Sequence, residues 1–220
     1  MVGKYFILNI FLFLVVVGAV QAQPAVDTIK YSLQQKPILF GNIGTRNSFI
    51  DNYGVNILEL LAGLKYNDRV KIGIGYHQLY SSSVAFDKPV VIKDYSGTET
   101  VNANLKIWYL SILAEYSYYT SRKWEFSIPL HFGLGEGYYK YHYKSITGTI
   151  NNSLMFVYEP AVSAEYKLTR WFGASIDIGY RFLLTDYKHF DQKLNFPTYS
   201  LNARIYYRSI YKHIVKKWKG

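Results

Sequence analysis

The stretch Asn104–Thr120, NLKIWYLSILAEYSYYT, shows the pattern that decides the fold. Alternate positions carry large apolar or aromatic side chains, such as Trp108 and Ile112, while the positions between them include Ser111 and Glu115. A period of two is typical of a β-strand with one apolar and one polar face, because successive side chains point to opposite sides. The run is longer than the roughly ten residues with which a tilted strand crosses a bilayer.

Six further runs of the chain alternate in the same way. They are Gly54–Tyr66, Arg69–Ser82, Lys123–Tyr139, Leu154–Leu168, Trp171–Leu184 and Thr198–Arg208. Tight turns at 66–69, 121–123 and 169–170 connect some of them, while the connections Ser83–Ala103, Lys140–Ser153 and Thr185–Pro197 are long and polar. Short turns at one end and long loops at the other are typical of transmembrane β-barrels, whose periplasmic turns are short.

An eighth strand follows from the direction of the chain. If the tight turns are periplasmic, Gly54–Tyr66 runs inward, and a chain that starts in the periplasm needs one earlier strand. The only candidate is Pro37–Phe49, although its alternation is weak. Eight strands with both ends in the periplasm satisfy the even number that such barrels have. We therefore predict an all-β fold, an eight-stranded antiparallel up-and-down transmembrane β-barrel over residues 37–210.

Residues 1–22 have the parts of a secretory signal peptide. Lys4 supplies the positive charge, Tyr5–Val20 is apolar, and small residues precede a cut before Gln23. A single transmembrane anchor is the alternative, but the apolar run is short for one. We therefore predict a cleaved helical signal peptide, a loose polar lead-in over 23–36, and a basic tail over 211–220. The tail is either a short interfacial helix or a solvated end.

The composition excludes several functional classes. The 220 residues include no cysteine, which excludes disulfide scaffolds, thiol nucleophiles and zinc sites with Cys ligands. No apolar run that is long enough for a membrane-spanning helix follows the N-terminus, which excludes a bundle of membrane helices. The net charge of the chain is +10. The histidines are scattered and do not have the spacing of metal ligands. The glycines of 133–137 lie within a strand and not at a strand-to-helix turn, so they do not form a phosphate-binding loop, and we predict close packing or a kink there. We therefore expect no metal and no cofactor.

Aromatic residues gather near the strand ends, as in the girdles of membrane barrels. They are Tyr66, Tyr76, Trp108, Tyr116, Trp124, Tyr158, Tyr166, Trp171, Tyr180, Tyr199 and Tyr207. The opposite strand face mixes glycine, serine and charges of both signs, which suits the packed interior of a small barrel. The apolar face is therefore expected to point at lipid. A soluble lipocalin-like barrel that binds a ligand would need that face to point inward.

Ten ionisable residues share the polar face of the strands. They are Glu59, Lys71, His77, Glu115, His131, Glu159, Glu165, Asp177, Arg181 and Arg204. We predict a mutually neutralising interior network, because buried charges must be paired. A polar conduit is the alternative, but side chains fill the bore of an eight-stranded barrel.

These features together resemble the small outer-membrane β-barrel proteins of Gram-negative bacteria. The segments Arg46–Ile50 (RNSFI) and Lys71–Tyr76 (KIGIGY) are similar to uncharacterised barrels of Bacteroidetes type. Two features depart from the pattern. A basic tail follows the last strand, where such barrels usually end on an aromatic residue. Pro129 and Pro160 lie within strands, where each removes a ladder donor, so we expect a bulge at one or both.

The resemblance implies an integral outer-membrane protein, monomeric and non-enzymatic, that presents extracellular loops for surface contact, envelope integrity or partner binding. Expected partners are outer-membrane lipids, lipopolysaccharide, and a protein or glycan at the loops, but no nucleic acid. The alternative is a lipid-modifying enzyme of lipid A deacylase or acyltransferase type, with His77, Ser81 and Glu59 near the outer rim. That hypothesis fails if His77 points into the barrel and pairs with Glu59.

Overall fold

The computed structural model describes residues 24–50, 53–81, 88–94, 97–144, 146–169, 171–185 and 195–206. The predicted signal peptide, the basic tail and Tyr207 lie outside these residues. Residues 24–33 are helical, where the sequence predicts a loose lead-in. In the part of the chain that is described, no helix is long and apolar enough to cross a membrane.

Nine antiparallel strands follow, and eight of them close into a ring. Their bounds are β1 Ile38–Ile50, β2 Tyr53–Tyr66, β3 Val70–Ser81, β4 Lys88–Asp94, β5 Gly97–Thr120, β6 Trp124–Tyr143, β7 Ile146–Lys167, β8 Phe172–Leu183 and β9 Phe196–Tyr206. Strand β1 pairs with both β2 and β9, and β3 pairs with β5, so each of the eight ring strands has two neighbours and β4 lies outside the ring. The eight-stranded barrel is confirmed, and β1 is the strand that chain direction required.

Tight turns join the strands at one end of the barrel, which we call the turn end; the opposite end is the loop end. In the β2–β3 turn, Asn67 and Asp68 adopt left-handed φ angles of 47° and 54°, which asparagine and aspartate tolerate better than most residues. The amide of Arg69 donates to the Tyr66 carbonyl at 3.0 Å and closes it. In the β7–β8 turn, the hydroxyl of Thr169 accepts from the amide of Phe172 at 3.0 Å.

Four strands extend past the ring at the loop end. Pairing of β3 with β5 stops at Gln78 opposite Trp108, and pairing of β7 with β8 begins only at Val157 opposite Leu183. Beyond these pairs, β4 and residues 97–107, 137–143 and 146–156 form a four-stranded sheet. We call it the projecting sheet. The predicted long loop Lys140–Ser153 is wrong, since all but its turn lies in this sheet.

The prolines do not produce bulges, contrary to expectation. The β6–β7 ladder is interrupted where Pro129 faces Ala161, yet the register is the same on both sides of the gap. The β7–β8 ladder is interrupted in the same way at Pro160. A missing amide removes a hydrogen bond but adds no residue, so the register has no reason to shift. The register shifts lie instead at 56–57, 117–119 and 137–139.

The glycine-rich segment of β6 packs closely against β5, as predicted. A methyl group on Gly135 would lie 2.0 Å from the carbonyl oxygen of Trp108, and one on Gly133 would lie 2.7 Å from the ring of Tyr109. Glycine therefore lets β6 approach the backbone and the inward side chains of its neighbour.

The outer wall of the ring is apolar and its interior is mostly polar. Outward side chains such as Ile74, Ile112 and Ile178 are largely exposed, whereas Glu59 and Lys71 on the inward face are buried. This is the inverse of a soluble barrel, so the lipocalin-like alternative is wrong.

At the loop end the interior changes from polar to apolar. The buried cluster there comprises Val55, Ile57, Leu79, Ala103, Leu105, Ile107, Tyr109, Tyr139, Met155, Val157 and Leu183. Val90 of β4 packs against it, so the projecting sheet and the barrel share one hydrophobic core. This cluster fills the loop end of the bore, and the alternation of polar and apolar residues does not predict it.

Candidate functional site

All ten predicted interior residues are buried inside the barrel. The structure divides nine of them between two clusters. The central cluster contains Glu59, His77, His131, Glu159 and Arg181 and adds Arg46 and Tyr109. The turn-end cluster contains Lys71, Glu115, Glu165 and Arg204 and adds Lys65 and Glu125. Asp177 forms an ion pair with neither cluster in the described residues, although Ser163 connects it to Arg204.

Arg46 holds the central cluster together. Its guanidinium lies 2.5 Å from Glu59 Oε2 and 2.6 Å from Glu159 Oε2, so one cation bridges two carboxylates from opposite parts of the barrel. Arg181 forms the second ion pair with Glu159 and donates to the Tyr109 hydroxyl at 3.0 Å. Two cations thus balance two anions, which is how charges are tolerated in a low-dielectric interior.

His77 lies inside this cluster and not at the outer rim. Its Nδ1 is 3.6 Å from Glu59, its Nε2 is 2.8 Å from the Ser111 hydroxyl, and its ring stacks on Tyr109 at a centroid distance of 4.3 Å. The side chain is 0% exposed. His77 therefore lies in the interior, away from the lipid-facing wall, and its hydroxyl partner among the described side chains is Ser111. The side chain of Ser81 lies outside the described residues.

The turn-end cluster is a denser network. Lys71 contacts Glu115 at 2.7 Å, Glu125 at 2.9 Å and Glu165 at 3.3 Å. Arg204 contacts Glu165 at 3.2 Å. Serine hydroxyls complete the carboxylate shells, with Ser127 donating to Glu115 at 2.6 Å and Ser117 to Glu125 at 2.8 Å. Each acid is therefore paired and hydrogen-bonded.

Asp177 is held by neutral donors. The hydroxyls of Ser163 and Ser200 and the amide of Asn202 donate to its carboxylate at 2.5, 2.8 and 2.8 Å. Between the two clusters, Phe40, Leu61 and Leu113 form a small apolar layer, next to a hollow of only about 10 Å³. A hollow of that size holds one water at most. The described interior is therefore a packed core, and its chemistry is charge pairing.

Of the four added members, Lys65 shares the polar strand face with the ten predicted residues, and the other three were not singled out from the sequence. Alternation could have identified two of these three. Tyr109 and Glu125 occupy inward positions of strands whose neighbours were assigned correctly. Arg46 lies on β1, where weak alternation concealed which residues face inward.

The predicted interface aromatics face outward from the strands. Those described within strands are Tyr66, Tyr76, Trp108, Tyr116, Trp124, Tyr158, Tyr166, Tyr180 and Tyr199; Trp171 precedes β8 in a turn. Near the turn end, Trp124 packs on Tyr166 at 4.8 Å between ring centroids. Nearer the loop end, Tyr158 packs on Phe132 at 4.9 Å and belongs to a row that continues to Phe182 and Tyr180. Two aromatic bands thus flank the apolar wall.

Among the residues described, no group of three or more His, Cys, Asp or Glu side chains could hold a metal ion.

Comparison with known proteins identifies the fold. No protein-family model and no curated protein sequence matches the chain. Neisserial surface protein A superposes with a TM-score of 0.53 over 77% of this chain and 96% of its own, at 9% identity. The fold is that of an eight-stranded outer-membrane barrel.

Two further barrels superpose less well. The N-terminal β-barrel domain of Pseudomonas aeruginosa OprF gives a TM-score of 0.45 at 13% identity, covering 77% of this chain and 98% of that domain. Ail of Yersinia pestis, in complex with the heparin analogue sucrose octasulfate, gives 0.44 at 13% identity, covering 78% of this chain and 100% of Ail. The link to Bacteroidetes-type barrels stays a prediction from the sequence.

Proposed function

We propose that the chain is an integral, non-enzymatic outer-membrane protein that uses its projecting sheet to bind a partner outside the cell. The apolar wall between two aromatic bands supports the membrane location, and the short turns support a periplasmic turn end. The loop end and the projecting sheet then face the exterior. The packed bore argues against transport, because both charge clusters and the apolar cluster of the loop end fill it.

The observation that carries this proposal is the edge of β7 over residues 146–150. Among the described residues, no strand pairs with this segment on the side away from β6, because β8 joins β7 only from Val157 onward. Its sequence, ITGTI, contains no charge and no proline. An uncharged edge that no described strand pairs offers backbone groups for the addition of a further strand.

The other edge of the projecting sheet differs in a way that supports this assignment. Strand β4 is only seven residues long and contains Pro89, Lys88, Lys93 and Asp94. Short length, proline and charge are the features by which proteins prevent strand addition at an edge. One edge of the projecting sheet is thus protected against pairing and the other is not.

Hydrogen exchange tests strand addition directly. We expect the backbone amides of 146–150 to exchange at least about tenfold more slowly in native outer-membrane vesicles than in the purified protein, because a partner strand would protect them. Changing Thr147 and Thr149 together to lysine should abolish the difference. The matched control changes Thr98 and Thr100 of β5, which pair with Lys93 and Val91 of β4, to lysine and should preserve it. Equal exchange in vesicles and in purified protein would contradict the proposal.

Contact with anionic lipopolysaccharide is a second candidate. With the flanking residues Glu136 and Lys144, the projecting sheet carries five lysines, Lys88, Lys93, Lys106, Lys140 and Lys144, against Asp94, Glu99 and Glu136. Two of the lysines lie over tyrosine rings, Lys88 at 5.8 Å from Tyr139 and Lys144 at 4.8 Å from Tyr143. Bases among aromatic rings favour anionic glycans. Such side-chain contacts would leave the amides of 146–150 unprotected, so the vesicle experiment separates the two candidates.

A further inference from the structure

The turn end of the barrel contains a hollow that the charge clusters do not explain. Its volume is about 550 Å³, and it opens between the tight turns and the ends of β1 and β9. Lys65, Arg122, Lys123 and Lys167 line it, with Asp68 as the one acid of the lining and Phe40 among the apolar groups. Four bases around one hollow attract an anion.

The side chains above the hollow leave this positive charge only partly balanced. Glu125 alone is shared by three lysines, with its carboxylate 2.7 Å from Lys65, 2.9 Å from Lys71 and 3.5 Å from Lys167. The hollow and the turn-end cluster together contain six bases and four acids. The bases are Lys65, Lys71, Arg122, Lys123, Lys167 and Arg204, and the acids are Asp68, Glu115, Glu125 and Glu165. The bases therefore outnumber the acids by two among these described residues.

A second hollow lies on the outer wall beside the first. It is a shallow depression lined by Tyr118, Tyr119, Trp124 and Phe126, and three of these rings are about half exposed. The turn 121–123 joins the two strands that carry these rings, so Arg122 and Lys123 stand between the basic hollow and the aromatic one. Aromatic rings beside bases at the end of an apolar wall are the setting in which proteins bind lipid headgroups.

We propose that the turn end is a binding site for an anionic phosphate group, held by Arg122, Lys123 and Lys167 at the mouth of the barrel. The aromatic hollow favours a phospholipid as the carrier, with the glycerol and acyl region against Trp124 and its neighbours. Free phosphate has the same charge chemistry without that apolar contact. The site lies at the opposite end from the projecting sheet and is independent of partner binding there.

The experiment uses the full-length folded protein in zwitterionic detergent, with phosphatidylglycerol, phosphatidylcholine or inorganic phosphate as the probe. Retained lipid is counted by native mass spectrometry, and affinity is followed by tryptophan fluorescence. We expect phosphatidylglycerol to bind more tightly than phosphatidylcholine. Changing Arg122 and Lys123 together to glutamine should weaken it roughly 25-fold, since each base near an anionic headgroup contributes about fivefold.

The matched control changes Lys188 and Lys193, in the connection between β8 and β9, to glutamine. It removes the same charge at the other end of the barrel and should leave phosphatidylglycerol binding unchanged. If inorganic phosphate binds as tightly and with the same dependence on Arg122 and Lys123, the carrier is a soluble phosphate. Equal binding of the two lipids, or equal effects of the two double variants, would overturn the proposal.

Discussion

Changing Arg46 to methionine is expected to lower the free energy of unfolding by about 3–5 kcal/mol. The guanidinium bridges Glu59 and Glu159, and its removal leaves a buried carboxylate on β2 without a cation. Glu159 retains Arg181, whereas Glu59 retains only a long hydrogen bond from Asn42 at 3.4 Å and the neighbouring His77. The loss should appear as a lower urea midpoint of the protein folded in phosphatidylcholine vesicles.

The cause of this loss can be checked with a second substitution. Combining Arg46→Met with Glu59→Gln removes the charge that was left unpaired, so the double variant should lose less than the sum of the two single losses, by at least about 1 kcal/mol. Arg122→Met, on the exposed turn between β5 and β6, should change stability by no more than about 0.5 kcal/mol. If Arg46→Met were as mild as Arg122→Met, the central cluster would not stabilise the barrel.

Changing Ile112 to arginine is expected to cost about 2–4 kcal/mol in the same vesicles, because it would place a charge near the middle of the bilayer. Ile112 is 62% exposed and lies on the outward face of β5, four residues from Trp108 on one side and four from Tyr116 on the other. Its neighbours across the ladders are Ile74 and Phe132. This position is therefore the centre of the apolar wall.

Val91→Arg is the matched control. Val91 is 61% exposed, almost the same as Ile112, but it lies on β4 of the projecting sheet. In water an exposed valine tolerates arginine, and we expect a change of no more than about 0.5 kcal/mol. Equal costs at the two positions would mean that the apolar wall of the ring does not face lipid.

Alternation predicts much of this fold because the outer face of each barrel strand contacts lipid, whereas its inner face contacts a polar interior. It identified seven strands, and the direction of the chain supplied β1, whose own pattern is weak. The inward positions of Glu115, Glu159 and Arg204 follow from the same period.

The parts that sequence reasoning missed lie where that contrast disappears. Beyond the membrane both faces of a strand meet water or protein, so polar residues such as Thr147 and Thr149 suggest a loop although they belong to β7. At the loop end, Leu105 and Val157 point inward and form a hydrophobic core, although the inward face is polar elsewhere. Alternation gives the face of each residue, but it does not tell what fills the bore at each level.

Cysteine labelling on intact cells tests the central claim most directly, because the chain contains no cysteine of its own. Thr147→Cys lies on the projecting sheet and Lys123→Cys in the turn between β5 and β6. With the protein expressed in a Gram-negative host, a bulky membrane-impermeant maleimide should label Thr147→Cys on intact cells and Lys123→Cys only after the outer membrane is opened. Labelling of Lys123→Cys alone on intact cells, or of neither variant until cells are broken, would contradict an outer-membrane barrel that projects its four-stranded sheet outside.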